Sequence, residues 1–230
     1  MLRAVLFDLD DTLIDHRTSA AQAVTAWAAE HGITGADVPG RWEAICEPHY
    51  ARYQRREVSF AEQRRLRVRE FLGGAMTDAE ADHAFGGYLA RYEAGWRAFA
   101  DAVPALRRAR AAGLFVAVVT NGDEGQQRRK LERCGLDPEV DLLIASSTLP
   151  AGKPDPRAFA GSLQRVGVLA AEAMMVGDSL EKDVAPARRA GMAATLLDRD
   201  DVHADVTEDR ITSLDALCFG DEALPLAGER

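Results

Sequence analysis

The sequence predicts an α/β protein, a doubly wound parallel sheet interrupted by one inserted all-helical domain. Three observations carry this prediction. Short, nearly continuous apolar runs recur along the chain and end in polar residues or glycine, as strands buried on both faces do. Amphipathic stretches separate the runs, and strand–helix alternation produces a parallel sheet with right-handed crossovers. From about residue 16 to residue 99 the alternation stops and only helical signals remain.

In chain order, Leu2 to Leu9 is the first apolar run and predicts a buried strand. The helical stretch from His16 to Phe99 follows. Within it, Ser59 with Glu62 and Thr77 with Glu80 have the spacing of capping boxes, which satisfy free amides at a helix start. Phe85, Tyr88, Leu89, Tyr92, Trp96 and Phe99 recur every three or four residues, an aromatic stripe along one long helix that reads as packing. Arg52, Arg55, Arg56, Arg64, Arg65, Arg67 and Arg69 read as solvated helix faces, of which one or two could reach a bound anion. Helices are then expected over Val103 to Ala112, Gln126 to Cys134, Pro156 to Val166 and Val184 to Ala190. Strands are expected over Leu114 to Val119, Leu142 to Ala145, Met174 to Val176 and Ala193 to Leu197. Asp221 to Arg230 is expected to be a loose tail. Residues 1–15 and 100–230 thus form a discontinuous α/β core, and residues 16–99 the helical insert.

Composition narrows the possible partners. The 230 residues are 47% hydrophobic and 28% charged with a net charge of -9, which excludes a disordered or collagen-like chain. A pI near 5.1 argues against a nucleic-acid polymer or an anionic membrane as partner, because the field of the whole molecule repels polyanions. Cys46, Cys134 and Cys218 are odd in number and widely spaced, and read as free thiols. With no signal peptide and no membrane span in the sequence, a cytoplasmic protein is expected. It could be a monomer or a homodimer. Only Lys130, Lys153 and Lys182 among the 28 basic residues are lysine.

Four polar clusters fall at carboxyl ends of predicted strands, where doubly wound sheets bind ligands. In the first, Asp8 and Asp10 lie roughly 7 Å apart at about 3.3 Å per residue, and a phosphoryl group fits between them. Asp8 could attack phosphorus while Asp10 donates a proton to the leaving oxygen. In the second, Thr120, Asn121 and Gly122 offer a hydroxyl and backbone amides to anionic oxygens. The third is Gly152 to Pro156, a proline-stiffened loop that holds Lys153, whose compact ammonium can neutralise both a phosphate and the attacking carboxylate. The fourth, Gly177 to Asp183, adds Asp178 and Asp183. A Mg²⁺ ion could take Asp8, the backbone carbonyl of Asp10 and Asp178 as ligands. Asp183 would orient waters or loop amides nearby, or cap the helix containing Pro186.

In this order the clusters resemble the haloacid dehalogenase superfamily of hydrolases, matching its DxDxT, Thr, Lys and GDxxxxD pattern over roughly residues 4 to 200. The resemblance implies a Rossmann-like core in which Asp8 becomes phosphorylated, Asp10 is acid and base, Thr120 and Lys153 bind phosphate, and Asp178 binds Mg²⁺. It also implies that the helical insert is a cap of the first type, closing over the site and selecting the substrate. A carboxylic acid at position 10 argues for phosphate chemistry rather than metal-independent dehalogenation. The function expected is a Mg²⁺-dependent phosphatase acting on a small phosphorylated metabolite, of the nucleotide or sugar phosphate class. The alternatives are a phosphomutase of the same superfamily and a phosphorylation-dependent binding module.

Overall fold

The computed structural model describes residues 1–205 and 209–219, so the tail expected at 221–230 lies outside the described residues. Strands β1 (Ala4–Phe7), β2 (Phe115–Thr120), β3 (Leu142–Ala145), β4 (Ala173–Gly177), β5 (Ala193–Leu197) and β6 (Arg210–Ile211) form one sheet in the order β3-β2-β1-β4-β5-β6, every pairing parallel. All four residues of β1 are fully buried, which is why the run shows no polar alternation. Val5 and Phe7 enter the core on one face, Ala4 and Leu6 that on the other.

Helices α5 (Ala102–Ala111) and α6 (Glu124–Arg133) cover the first face through Leu106 and Leu131. Helices α7 (Pro156–Val166) and α8 (Ala185–Arg189) cover the second through Phe159 and Ala187. The chain passes from β1 outward to β3, then returns to β4 on the opposite side of β1, so the strand order reverses at β1. Phe7 is in register with both Val118 and Val176, and the residues that follow β1, β2 and β4 emerge at one sheet edge.

Two core elements differ from expectation. The helix expected over Val184 to Ala190 is α8, but an unexpected π-helical turn, Leu180–Val184, runs into it. Strand β6 was not expected: its two residues pair with Leu196 and Leu197 and are too few for any periodicity.

The insert comprises α1 (His16–Glu30), α2 (Val38–Gln54), α3 (Phe60–Leu72) and α4 (Asp78–Gly95), packed around an aromatic core of their own. Trp27 stacks on Phe71 with centroids 5.4 Å apart, and Trp42 meets Tyr88 at 4.9 Å. Thr77 and Glu80 complete a reciprocal capping box, whereas Ser59 forms only half of one, accepting from the Glu62 amide. The aromatic stripe is shorter than expected. Trp96 leaves the helix at ψ 128, so Phe99 lies beyond α4 and instead sits under the Arg199 guanidinium, 3.8 Å away.

The chain enters and leaves the insert along one seam. Asp15 N donates to Arg97 O and Phe99 N to Leu13 O, both at 3.0 Å. A second tie comes from Arg56, whose Nη2 donates to the carbonyls of Ser146 and Leu149 at 2.5 and 2.9 Å. Cys46, Cys134 and Cys218 are free. Among the described residues no helix is long and apolar enough to cross a membrane.

Candidate active site

Asp8 is the first residue past β1, tethered by its amide to Val176 O at 2.9 Å. Lys153 arrives from the loop before α7 and places Nζ 2.6 Å from Asp8 Oδ1 and 2.5 Å from Asp183 Oδ1. All three side chains are buried. Asp183 Oδ2 accepts from the Ser179 amide at 3.2 Å, so both of its oxygens are occupied. The helix-capping alternative for Asp183 is therefore corrected: Ser179 caps the π-helical turn through the Lys182 amide, and Asp183 faces inward onto the lysine.

Gly177 is what lets Asp183 come so close. A Cβ there would lie 2.4 Å from Asp183 Oδ2 and 2.5 Å from its Cγ, too near to coexist. Gly177→Ala is expected to displace Asp183 from Lys153 and destabilise the fold by about 1–3 kcal/mol. Thermal melting and activity check this together, and an unchanged melting temperature with full activity contradicts it.

Thr12 ties the two strand ends together. Fully buried, its hydroxyl accepts from the Asp178 amide at 3.1 Å and lies 3.3 Å from Asp8 Oδ2 and 3.4 Å from Asp178 Oδ1. Sequence reasoning left Thr12 out of the site, although it is the closing residue of the first cluster.

Asp10 lies on the same edge but has a different lysine. Lys130 of α6, itself buried, donates to Asp10 Oδ1 at 2.5 Å, and Gln127 Nε2 donates to Oδ2 at 3.2 Å. The same Gln127 amide donates to Thr120 Oγ1 at 2.7 Å and to Asn121 O at 3.2 Å, which links the Asp10 carboxylate to the end of β2. Neither Lys130 nor Gln127 was assigned a role from the sequence.

The second cluster works largely through its side chains. Asn121 Nδ2 donates to Lys153 O and Asn121 Oδ1 accepts from Lys153 N, both at 2.8 Å, so Asn121 clamps the backbone that carries the lysine. The Gly122 amide, expected to bind an anionic oxygen, instead donates to Ser146 Oγ at 2.9 Å. At φ +146 Gly122 holds a conformation that suits glycine, and a Cβ would meet Tyr50 Oη at 3.2 Å.

Tyr50 thus brings α2 to the site, and Gln54 does so too, since a Cβ at Gly152, next to Lys153, would run into Gln54 Oε1. Four other polar residues of the insert are engaged elsewhere: Arg17 with Asp200, His49 with Glu70, Arg52 with Glu57, and Arg56 with two loop carbonyls.

Charge is unevenly balanced. Burial, reinforced by Asp183 and Asp178, lifts the Asp8 carboxyl well above its ordinary value despite Lys153. Burial and then Asp183 push Asp178 up to about 6. Burial opposes the Lys153 ammonium, but Asp183 and Asp8 outweigh it and raise its proton affinity. Asp10 moves the other way: burial raises it, Lys130 and His16 outweigh burial, and it falls to about 2. Asp8, Asp178 and Asp183 can bring one oxygen each within 4.8 Å of one another. This set of hard oxygen donors, short of positive charge, is compatible with a divalent cation.

Fold and site together define a class: an enzyme on a doubly wound sheet, with an acidic, lysine-bearing site at the switch point and a helical insert beside it. Comparison with known proteins makes the class specific. The family model for haloacid dehalogenase-like hydrolases matches residues 2–191, and the chain belongs to that family. It is 33% identical over 226 residues to the phosphoserine phosphatase of Thermus thermophilus, covering 86% of this chain and 89% of that one. It is also 33% identical over 219 residues to the ribulose-1,5-bisphosphate 5-phosphatase of Halopiger xanaduensis, covering 90% and 89%. Among solved structures, the magnesium-bound HAD-hydrolase YfnB of Bacillus subtilis matches with a TM-score of 0.79 over 93% of this chain and 96% of that one. At 21% identity that likeness concerns the fold alone.

Proposed function

We propose that the chain is a Mg²⁺-dependent phosphatase that hydrolyses small phosphomonoesters through an aspartyl phosphate on Asp8, under a lid formed by residues 16–99. The observation that carries this reading is the pairing of two carboxylates with separate buried lysines, buried Asp8 with Lys153 and half-buried Asp10 with Lys130. Relatives named as phosphatases support the class of phosphoric monoester hydrolase.

An oxygen of Asp8 attacks phosphorus, the ester P–O bond breaks, and the leaving oxygen takes a proton from Asp10. A water oxygen then attacks the same phosphorus and passes a proton to Asp10, and the P–O bond to Asp8 breaks to release inorganic phosphate. Lys153, held by Asp183 and by the Asn121 clamp, offsets negative charge on Asp8 and on the phosphoryl oxygens. Thr120 is the hydroxyl at the end of β2 available to those oxygens. Asp8, Asp178 and the backbone carbonyl of Asp10 would hold Mg²⁺, with Asp183 contributing charge from behind Lys153. When bound, the ion supplies positive charge that keeps Asp8 ionised and offsets repulsion between it and an anionic substrate. The free site holds Asp10 as a carboxylate, and a dianionic ester arriving beside it raises its proton affinity again.

A panel of alkyl, sugar and nucleoside phosphates assayed with Mg²⁺ and with chelator tests the reading. Multiple turnover with Mg²⁺, lost in chelator, is the expected result. Binding should also raise the melting temperature, by about 2.7 kcal/mol of stability at a hundredfold excess over Kd, and Asp178→Ala should remove that rise. Failure on every ester, or transfer of phosphate to a second hydroxyl of the substrate in place of water, refutes it.

A further inference from the structure

Lys130 is one of three lysines in the chain, and its role is not explained by charge balance at the fold surface, since it is 2% exposed. It comes from α6 in the core, yet Nζ lies 5.3 Å from the ring of Tyr92 and 5.7 Å from that of Trp96, both contributed by the insert. Tyr92 is in turn fixed by His16, whose Nδ1 is 2.6 Å from Tyr92 Oη. The ammonium is thus confined between two aromatic rings and the single Asp10 oxygen it bonds at 2.5 Å.

An ammonium has three donors and no acceptor, so the oxygen facing it cannot also carry a proton without setting two hydrogens against each other. The second oxygen differs. Among the described residues Asp10 Oδ2 accepts a hydrogen bond only from Gln127 Nε2, at 3.2 Å, a donor already shared with Thr120 Oγ1 and Asn121 O. From this asymmetry we infer that Lys130 is a positioning residue for proton transfer: it pins Asp10 Oδ1 and leaves Oδ2 to carry the proton to and from the reacting oxygens. The inference rests on Asp10 acting as the acid of the proposed phosphatase. In the first step the proton leaves Oδ2 as the ester P–O bond breaks, and in the second Oδ2 takes one from the attacking water.

The test exploits leaving-group chemistry. A p-nitrophenolate departs without needing a proton, whereas an alkoxide does not. kcat/KM, which reports the steps up to phosphoryl transfer, is measured for p-nitrophenyl phosphate and for the alkyl phosphate that the wild type turns over fastest. Lys130→Met is expected to lower the alkyl value on the order of 10²-fold or more and the nitrophenyl value far less. Asp10→Asn should show the same selectivity, and the double variant should lose nothing further on the alkyl ester. Lys130→Gln, which keeps a donor in place of the charge, is read in the same way if the methionine variant does not fold. Equal losses on both esters, or losses that multiply in the double variant, overturn the inference and leave Lys130 a structural ion pair. A wild type inactive on both esters with Mg²⁺ overturns the phosphatase reading itself, and Asp10→Asn losses equal on both esters overturn the acid assignment.

Discussion

Asp8→Asn is expected to lower turnover of phosphate esters on the order of 10⁴-fold or more, while the protein folds at least as stably as the wild type. The two halves of this expectation have separate causes. The amide cannot form the bond to phosphorus, and the neighbouring carboxylates have other duties: Asp183 has both oxygens engaged, Asp10 is held by Lys130 and Gln127, and Asp178, beside Thr12, is the proposed metal ligand. Stability is spared because Asp8 sits among like charges. Its carboxyl is raised by burial and by Asp183 and Asp178, so an uncharged group of the same shape relieves repulsion, and Lys153 keeps Asp183 at 2.5 Å. Steady-state kinetics with Mg²⁺ and thermal melting in chelator read the two halves independently. Residual activity above about one part in a hundred removes Asp8 as nucleophile, and a fall in melting temperature makes it a structural residue instead.

The sheet was legible because parallel strands buried on both faces must be apolar throughout, and β1, β2, β3, β4 and β5 each stand over an apolar run. The insert was legible by contrast, since helices with an aromatic core of their own carry a 3.6-residue period and capping signals but no strand-like runs. What failed was local. The turn after β4 takes a π-helical form that no sequence rule anticipates, and within it Asp183 faces Lys153 across the Cβ-free face of Gly177. The aromatic stripe overran its helix because Phe99 keeps the spacing after the backbone has already turned at Trp96.

Within the site, Asp8, Lys153 and Asp178 could be anticipated because each follows a strand, and strand order brings strand ends together. Lys130 and Gln127 could not be reached that way. They lie on α6, where a lysine in the last turn reads as solvated and favourable to the helix dipole, and only the packing of α6 over the sheet on its β3 side turns them toward Asp10. A signal was nonetheless present. The scarcity of lysine that drew attention to Lys153 applies equally to Lys130, three residues beyond a glutamine and within the stretch that follows the Thr120 cluster.

Lys153→Met is expected to cost about 3–5 kcal/mol of stability near neutral pH in chelator, the largest loss of any substitution in the site. The lysine is the sole cation bonded to both Asp8 and Asp183 among the described residues, at 2.6 and 2.5 Å, and all three groups are buried. The pH dependence carries a sign that separates lost charge from lost packing. Because the fold raises the lysine's proton affinity, its contribution is complete below the ordinary lysine range and disappears only as pH rises through the raised value. Neutral solution therefore shows the whole deficit. The carboxyl left behind behaves oppositely: Asp8 is already raised above its unfolded value, and losing Lys153 raises it further, so the folded variant binds protons more tightly than the unfolded chain and gains stability as pH falls. Denaturant titrations at about pH 7 and about pH 5 should show the gap to the wild type narrowing on acidification. A cavity or packing defect would leave the gap constant with pH, and that outcome would show that Lys153 is not the group that makes the acidic cluster compatible with a folded core.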